Sequence, residues 1–173
     1  MINIVLYQPE KPQNTGNIMR TCMVWNLKLH IIGPLTFQIT DKGLQRAGMD
    51  YLKDVKYEYY NSYEEFVSKN NPNKIYFITR YGYKTPDKME FNASEDCYLM
   101  FGKESTGIPK HILKSDIDNC YRIPMVENAR SLNLSNCVAM CAYEALRQMD
   151  YAGLSRVEVI KGEDFLINYE GED

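Results

Sequence analysis

Apolar and polar positions along the chain follow two rhythms that alternate. Ile2–Tyr7 (INIVLY), Leu29–Ile32, Lys74–Thr79 (KIYFIT) and Tyr98–Phe101 (YLMF) are short, nearly unbroken apolar runs. Runs of that length and continuity predict strands covered on both faces. Val55–Tyr60 and Tyr121–Ile123 read as two further strands, and Gly33-Pro34 closes the second run. Between them the period lengthens. Asn17–Leu27 places Ile18, Cys22, Met23 and Trp25 along a helical face, and Asp41–Ala47 reads as a short helix. Ser62 is placed to cap a helix over Tyr63–Lys69, with Glu65 as its capping-box partner. Pro109–Leu113 opens a helix with proline near the first turn. Leu134–Asp150 is the longest helix expected, with Val138, Cys141, Ala142, Ala145, Leu146 and Met149 on one face.

Strands alternating with helices predict a single α/β domain around a mostly parallel sheet, helices covering both faces. Ligands of such sheets sit beyond the carboxyl ends of the strands. The loops of interest are therefore those after Tyr7, Thr79, Phe101 and Ile123.

Composition narrows the possibilities. The 173 residues are 45% hydrophobic and 25% charged, ordinary for a globular domain with a sizeable core. No stretch of about 18 apolar residues predicts a membrane span. The start, MINIVLYQPEKPQNTGN, lacks the basic and apolar regions of a signal peptide, so a cytoplasmic location is expected. Five cysteines without a C-x-x-C pair, and only two histidines, give no zinc-site pattern and no metal is expected. His30 lies in a strand pattern and His111 near a loop, and both read as structural. The net charge of −3 argues against tight non-specific binding of nucleic acid, but leaves room for a local basic patch. Only the end of the chain changes character. A folded domain over 1–160 is expected, with an acidic tail over 161–173.

Three loops carry candidate chemistry. In 8-QPEKPQNTGNIMR-20, Asn14-Thr15-Gly16-Asn17 opens a helix whose free N–H groups attract anions, with Arg20 nearby. Simple capping by Asn14 or Thr15 is the competing reading. In 101-FGKESTGIPK-110, Gly102 and Gly107 permit close backbone approach, and Glu104 is an acceptor for a ribose or a backbone N–H. No phosphate-loop pattern is present. In 123-IPMVENARSLNLSN-136, Ser131, Asn133 and Ser135 recur every second residue and Asn136 follows. Capping accounts for one or two of these polar groups, not for all. No Ser-His-Asp set or carboxylate pair is available. Arginine, hydroxyls, amides and backbone dipoles suit a reaction whose electrophile a cofactor has already activated.

Together, 14-NTGNIMRT-21, 99-LMFGKESTGIP-109 and 122-RIPMVENARSLNLSN-136 resemble the three motifs of the SPOUT class of RNA 2′-O-methyltransferases, SpoU-like in type. The match is nearest to small single-domain tRNA (cytidine/uridine-34-2′-O)-methyltransferases, and it runs from Val5 to about Met149. The resemblance implies an α/β knot in which the C-terminal segment threads a loop into a deep trefoil. It implies S-adenosyl-L-methionine as cofactor and S-adenosyl-L-homocysteine as product. The cofactor would be held by Ile78, Thr79, Gly102, Ile123, Met125, Ser131 and Leu132. It implies a homodimer across the first and last helices, motif one of one subunit meeting the cofactor of the other. The substrate would be the wobble nucleotide of tRNA, leucine tRNAs foremost. Arg20 would take the 2′-hydroxyl proton, or stay charged and orient phosphate and hydroxyl. Asn14 would hold Arg20 or the ribose, and Ser131 and Asn133 would orient the reacting groups. The apolar helix after the polar run would serve as the dimer face. Lys103 and Thr106 depart from the Pro and Arg of many relatives in motif two. Lys11, Arg20, Arg46, Arg80, Lys84 and Arg130 are the candidate phosphate contacts. The rival readings are a non-catalytic RNA- or nucleotide-binding module on the same fold and methylation at another tRNA or rRNA position. A dehydrogenase is excluded because no G-x-G-x-x-G follows the first strand.

Overall fold

The computed structural model describes residues 1–39 and 56–171. The helix expected at Asp41–Ala47, the start of the strand at Val55, and Arg46 lie outside the described residues. Among the described residues six strands form one sheet: β1 (Ile2–Tyr7), β2 (Lys28–Ile32), β3 (Tyr57–Tyr60), β4 (Ile75–Ile78), β5 (Cys97–Phe101) and β6 (Cys120–Tyr121). The order is β3-β2-β1-β5-β4-β6 and every pairing is parallel. Among the described residues the α-helices are α1 (Pro12–Val24), α2 (Tyr63–Asn70), α3 (Lys110–Ser115) and α4 (Leu134–Gln148).

Period-two alternation sorts the strand side chains between two cores. Ile2, Ile4 and Leu6 of β1 and Cys97, Leu99 and Phe101 of β5 point to one face, where Ile18 and Cys22 of α1 and Val138, Cys141 and Ala142 of α4 cover them. Val5 of β1 with Tyr98 and Met100 of β5 point to the other, beneath Phe66 of α2 and Ile112 and Leu113 of α3. Helices thus cover both faces. Desolvation in the first core pushes the thiols of Cys22 and Cys141 up to about 12, which leaves them inert packing groups.

Two helix starts differ from expectation in instructive ways. Ser62 does cap α2, accepting from the Glu65 N–H at 3.1 Å, but the Glu65 carboxylate returns to the Asn61 N–H (2.6 Å). Helix α1 begins at Pro12, five residues before the expected start, and its N-cap Lys11 makes no side-chain cap bond. The proline supplies the helical φ at the first turn. Asn14 and Thr15 are therefore buried inside the helix and do not cap it.

His30 is fully buried in β2. Its Nδ1 lies 2.9 Å from the Tyr60 hydroxyl and its Nε2 3.0 Å from Asn3 Oδ1. Burial first, then the charge of Lys28, pushes its pKa down to about 4 from the usual 6.5. Between those two values the unfolded chain takes up a proton that the folded chain refuses, so stability is full above pH 6.5 and falls below it. Denaturant titrations should show about 2–3 kcal/mol less stability from this group at pH 4.5 than at pH 7. In His30→Gln that slope should flatten.

Candidate active site

The four loops at the carboxyl ends of β1, β4, β5 and β6 converge on one cavity of about 530 Å³. That volume lies within the usual range for small-molecule sites, about 300–1,000 Å³. Its lining includes Ile78, Thr79, Gly102, Ile123, Met125, Ser131 and Leu132, together with Asn14 and Asn133. Arg20 is the one named site residue outside the lining. It lies on the exposed flank of α1, six residues beyond Asn14.

A chain of hydrogen bonds ties the loops together. The Asn14 Nδ2 donates to Glu104 Oε1 (2.8 Å), and Asn133 Nδ2 donates to Asn14 Oδ1 (3.0 Å). Asn133 Oδ1 in turn accepts from the N–H and hydroxyl of Ser135 at 2.9 and 2.7 Å, so Asn133 also caps α4. Both ends of the Asn14 amide are thereby engaged within one chain, and this buried side chain fixes the starts of α1 and α4 against the loop after β5. The other carboxylate oxygen of Glu104 accepts from the Glu10 N–H at 2.8 Å. Glu10 answers by accepting from the Ser105 N–H (2.8 Å) and hydroxyl (2.7 Å), and the hydroxyl bond above all holds its carboxyl below the usual range. Lys103 Nζ donates to Gln8 Oε1 at 3.0 Å. Lys103, one of the two departures in motif two, thus joins the same stitching.

Glycine makes the loop after β5 possible. A Cβ on Gly102 would sit 2.2 Å from the Gly107 carbonyl carbon and the Ile108 nitrogen. The close approach that Gly102 permits is first an approach of the chain to itself, and Gly107 completes the turn with φ of +73°.

The loop after β6 is exposed from 126 to 133, even where Ser131 and Leu132 line the cavity. Apart from the bonded Asn133, its polar residues are exposed in the single chain, so the run 128–132 carries little burial cost. Around the cavity the charges are sorted by sign. Lys11, Arg80, Lys103, Lys110 and Arg122 line it against one acid, Glu104, whose oxygens are both occupied. The acidic balance of the chain therefore resides elsewhere.

Sequence reasoning had not singled out Glu10, Tyr81, Lys110 or Arg122. Position held the usable signal for Tyr81, which lies two residues beyond Thr79 in a loop at a strand's carboxyl end. Glu10 pairs with residues about 95 positions away, and nothing local announces such a bond.

The sequence profile of the SpoU rRNA Methylase family matches residues 1–143. A tRNA (cytidine(34)-2′-O)-methyltransferase of Escherichia coli strain K12 is 44% identical over 154 residues, which span 88% of this chain and 97% of that one. The crystal structure of a provisionally assigned RNA methyltransferase from Bacillus anthracis aligns with a TM-score of 0.85 and 46% identity, over 92% of this chain and 100% of the other. A further structure, solved in a study of 2-OH methylation of C/U34 on tRNA, aligns with a TM-score of 0.79 and 37% identity, over 87% and 97%.

Proposed function

The chain belongs to the SpoU rRNA methylase family, and we propose that it transfers a methyl group from S-adenosyl-L-methionine to the ribose 2′-hydroxyl of nucleotide 34 of tRNA. Cytidine is the base carried in the name of the Escherichia coli relative, and modified uridine at the same position, chiefly in leucine tRNAs, completes the reading. The observation that carries it is the convergence of the three motif loops on one cavity, locked by the Glu104–Asn14–Asn133 chain.

The lining fits the cofactor. Ile78, Phe101 and Leu132 would give apolar surface for a base, and the peptide groups of Gly102, Ile123 and Met125, with the Ser131 hydroxyl, would give polar anchors, beside Thr79, whose N–H is bonded to the Tyr121 carbonyl. When bound, S-adenosyl-L-methionine supplies a methyl group on a positively charged sulfur, an electrophile that needs no further activation. The protein is left to orient the hydroxyl and manage its proton. In this reading Asn14 and Asn133 hold the loops in register and Ser131 and Asn133 orient the reacting groups. Arg20 acts on the proton, directly or by positioning phosphate and hydroxyl. It does so in the cavity of a second copy. Its place off the lining of its own cavity supports a site shared between subunits. Exposed apolar residues on two adjoining helices, Met23 and Val24 of α1 and Met140 and Tyr143 of α4, support that dimer face.

The proposed trefoil knot has its support at β6. Segment 79–84 wraps the chain as it leaves that strand: Thr79 N–H donates to the Tyr121 carbonyl, and Arg122 N–H to the Lys84 carbonyl. The chain then returns from the sheet edge to pack α4 over central β1 and β5.

Mass spectrometry of tRNA from a strain lacking the gene tests the reading. Loss of 2′-O-methylation at nucleotide 34 is expected. Intact methylation there, or its loss at another tRNA or rRNA position, overturns it. In calorimetry S-adenosylhomocysteine should bind and NAD should not.

A further inference from the structure

Segment 79–84 does more than embrace β6. Gly82 lies so close to the chain leaving that strand that a Cβ would sit 2.4 Å from the Tyr121 carbonyl carbon. Arg122 Nη1 donates to the Arg80 carbonyl at 2.9 Å, and the Tyr81 N–H donates to the Thr79 hydroxyl at 3.3 Å. The backbone is thus pinned at its centre, and Tyr81 and Tyr83 flank the pin. Both rings stand open: Tyr81 is 50% exposed and Tyr83 83%. Cations gather around Tyr81. The Arg80 guanidinium and Lys110 Nζ lie 5.7 and 5.5 Å from the centroid of the Tyr81 ring, and all three residues line the cavity.

Exposed aromatic rings interleaved with cations on a rigid backbone match the chemistry of unpaired nucleic acid. Every base offers a π face for stacking, and each phosphate seeks a positive charge. A rigid platform also lowers the entropy lost on binding. We propose that Tyr81 and Tyr83 are a stacking platform for the unpaired RNA bases that flank the nucleotide entering the cavity, with Arg80 and Lys110 holding the adjoining phosphates. This rests on the reading of the cavity as an RNA ribose methylation site. It adds a surface that selects an unpaired loop over a duplex.

The test is fluorescence anisotropy of the full chain with a fluorescein-labelled anticodon stem-loop RNA. Tyr83→Ala should weaken binding about five- to a hundredfold, and Tyr81→Ala with Tyr83→Ala further, because loss of one base stack has effects of that order. Tyr83→Phe, which keeps the ring, should bind like the parent. Calorimetry with S-adenosylhomocysteine should give the same affinity for Tyr83→Ala as for the parent. Parent-like RNA affinity in the double alanine variant overturns the platform. So does an altered oligomeric mass by light scattering in Tyr83→Ala, since that assigns the ring to a protein interface. The binding assay does not read which nucleotide is methylated. A chain that modifies another unpaired position still loses affinity in Tyr83→Ala, so failure of the platform and failure of the nucleotide-34 reading are told apart.

Discussion

Arg20→Ala is expected to lower the rate of methyl transfer roughly 10²- to 10⁴-fold, the usual scale for losing a group that handles a proton. S-adenosylhomocysteine binding should survive, because the residues proposed to hold the cofactor all line the cavity without Arg20, and Arg20 is assigned to the hydroxyl and its proton alone. Single-turnover kinetics with tRNA, beside calorimetry with the product, measures the two effects separately. Unchanged turnover removes Arg20 from the reaction. Arg20→Lys then separates its two roles. An arginine is ordinarily cationic and a poor base, whereas a lysine, with a pKa of about 10.4, reaches its neutral form more readily. A base role therefore predicts that lysine retains more activity than alanine. A role as a planar fork on phosphate and hydroxyl predicts that lysine fails nearly as badly, since the second hydrogen bond is lost. Mixing Arg20→Ala chains with chains unable to bind cofactor tests the shared site. If each cavity takes its arginine from the other copy, random pairing restores about a quarter of the sites, and a site contained in one chain restores none.

Much of the sheet was legible because buried parallel strands leave a dense local signal. Ile2–Tyr7 was read to the residue, and the other strands to within one or two among the described residues. Periodicity reached α4 for the same reason: its apolar face is nearly uninterrupted. The start of α1 was missed because Pro12, Asn14, Thr15 and Gly16 carry poor helix propensity and no capping pattern. Tertiary bonds override both, since the Asn14 amide is held by Glu104 and Asn133 from loops distant in sequence. The site loops were legible through the rule that ligands meet the carboxyl ends of parallel strands, and through the motif resemblance. The bonds that lock them were not, because Glu10–Ser105, Lys103–Gln8 and Asn14–Asn133 each join residues some ninety or more positions apart. The same limit applied to charge. A net count of −3 carries no information on where five cations gather around one cavity.

Gly102→Val is expected to abolish measurable cofactor binding, and its cause differs from simple obstruction of a pocket. The first side-chain carbon would lie 2.2 Å from two backbone atoms of Gly107 and Ile108, a separation no side-chain rotamer relieves. The backbone of the loop must shift, and that loop carries Glu104. Movement of Glu104 frees the Glu10 N–H and the Asn14 amide, and through Asn14 it loosens Asn133 at the start of α4. One substitution thus unfastens three of the four loops around the cavity. Overpacking of this kind costs roughly 1–3 kcal/mol or more, so the denaturation midpoint should fall as well. Gly102→Ala separates the two explanations. A methyl group adds little bulk to a cavity of about 530 Å³, yet it creates the same backbone clash. Calorimetry with S-adenosylhomocysteine should therefore find alanine nearly as damaging as valine. An alanine variant that binds the product normally would show that this loop tolerates the shift, and that the Glu104 bonds do not hold the site in shape.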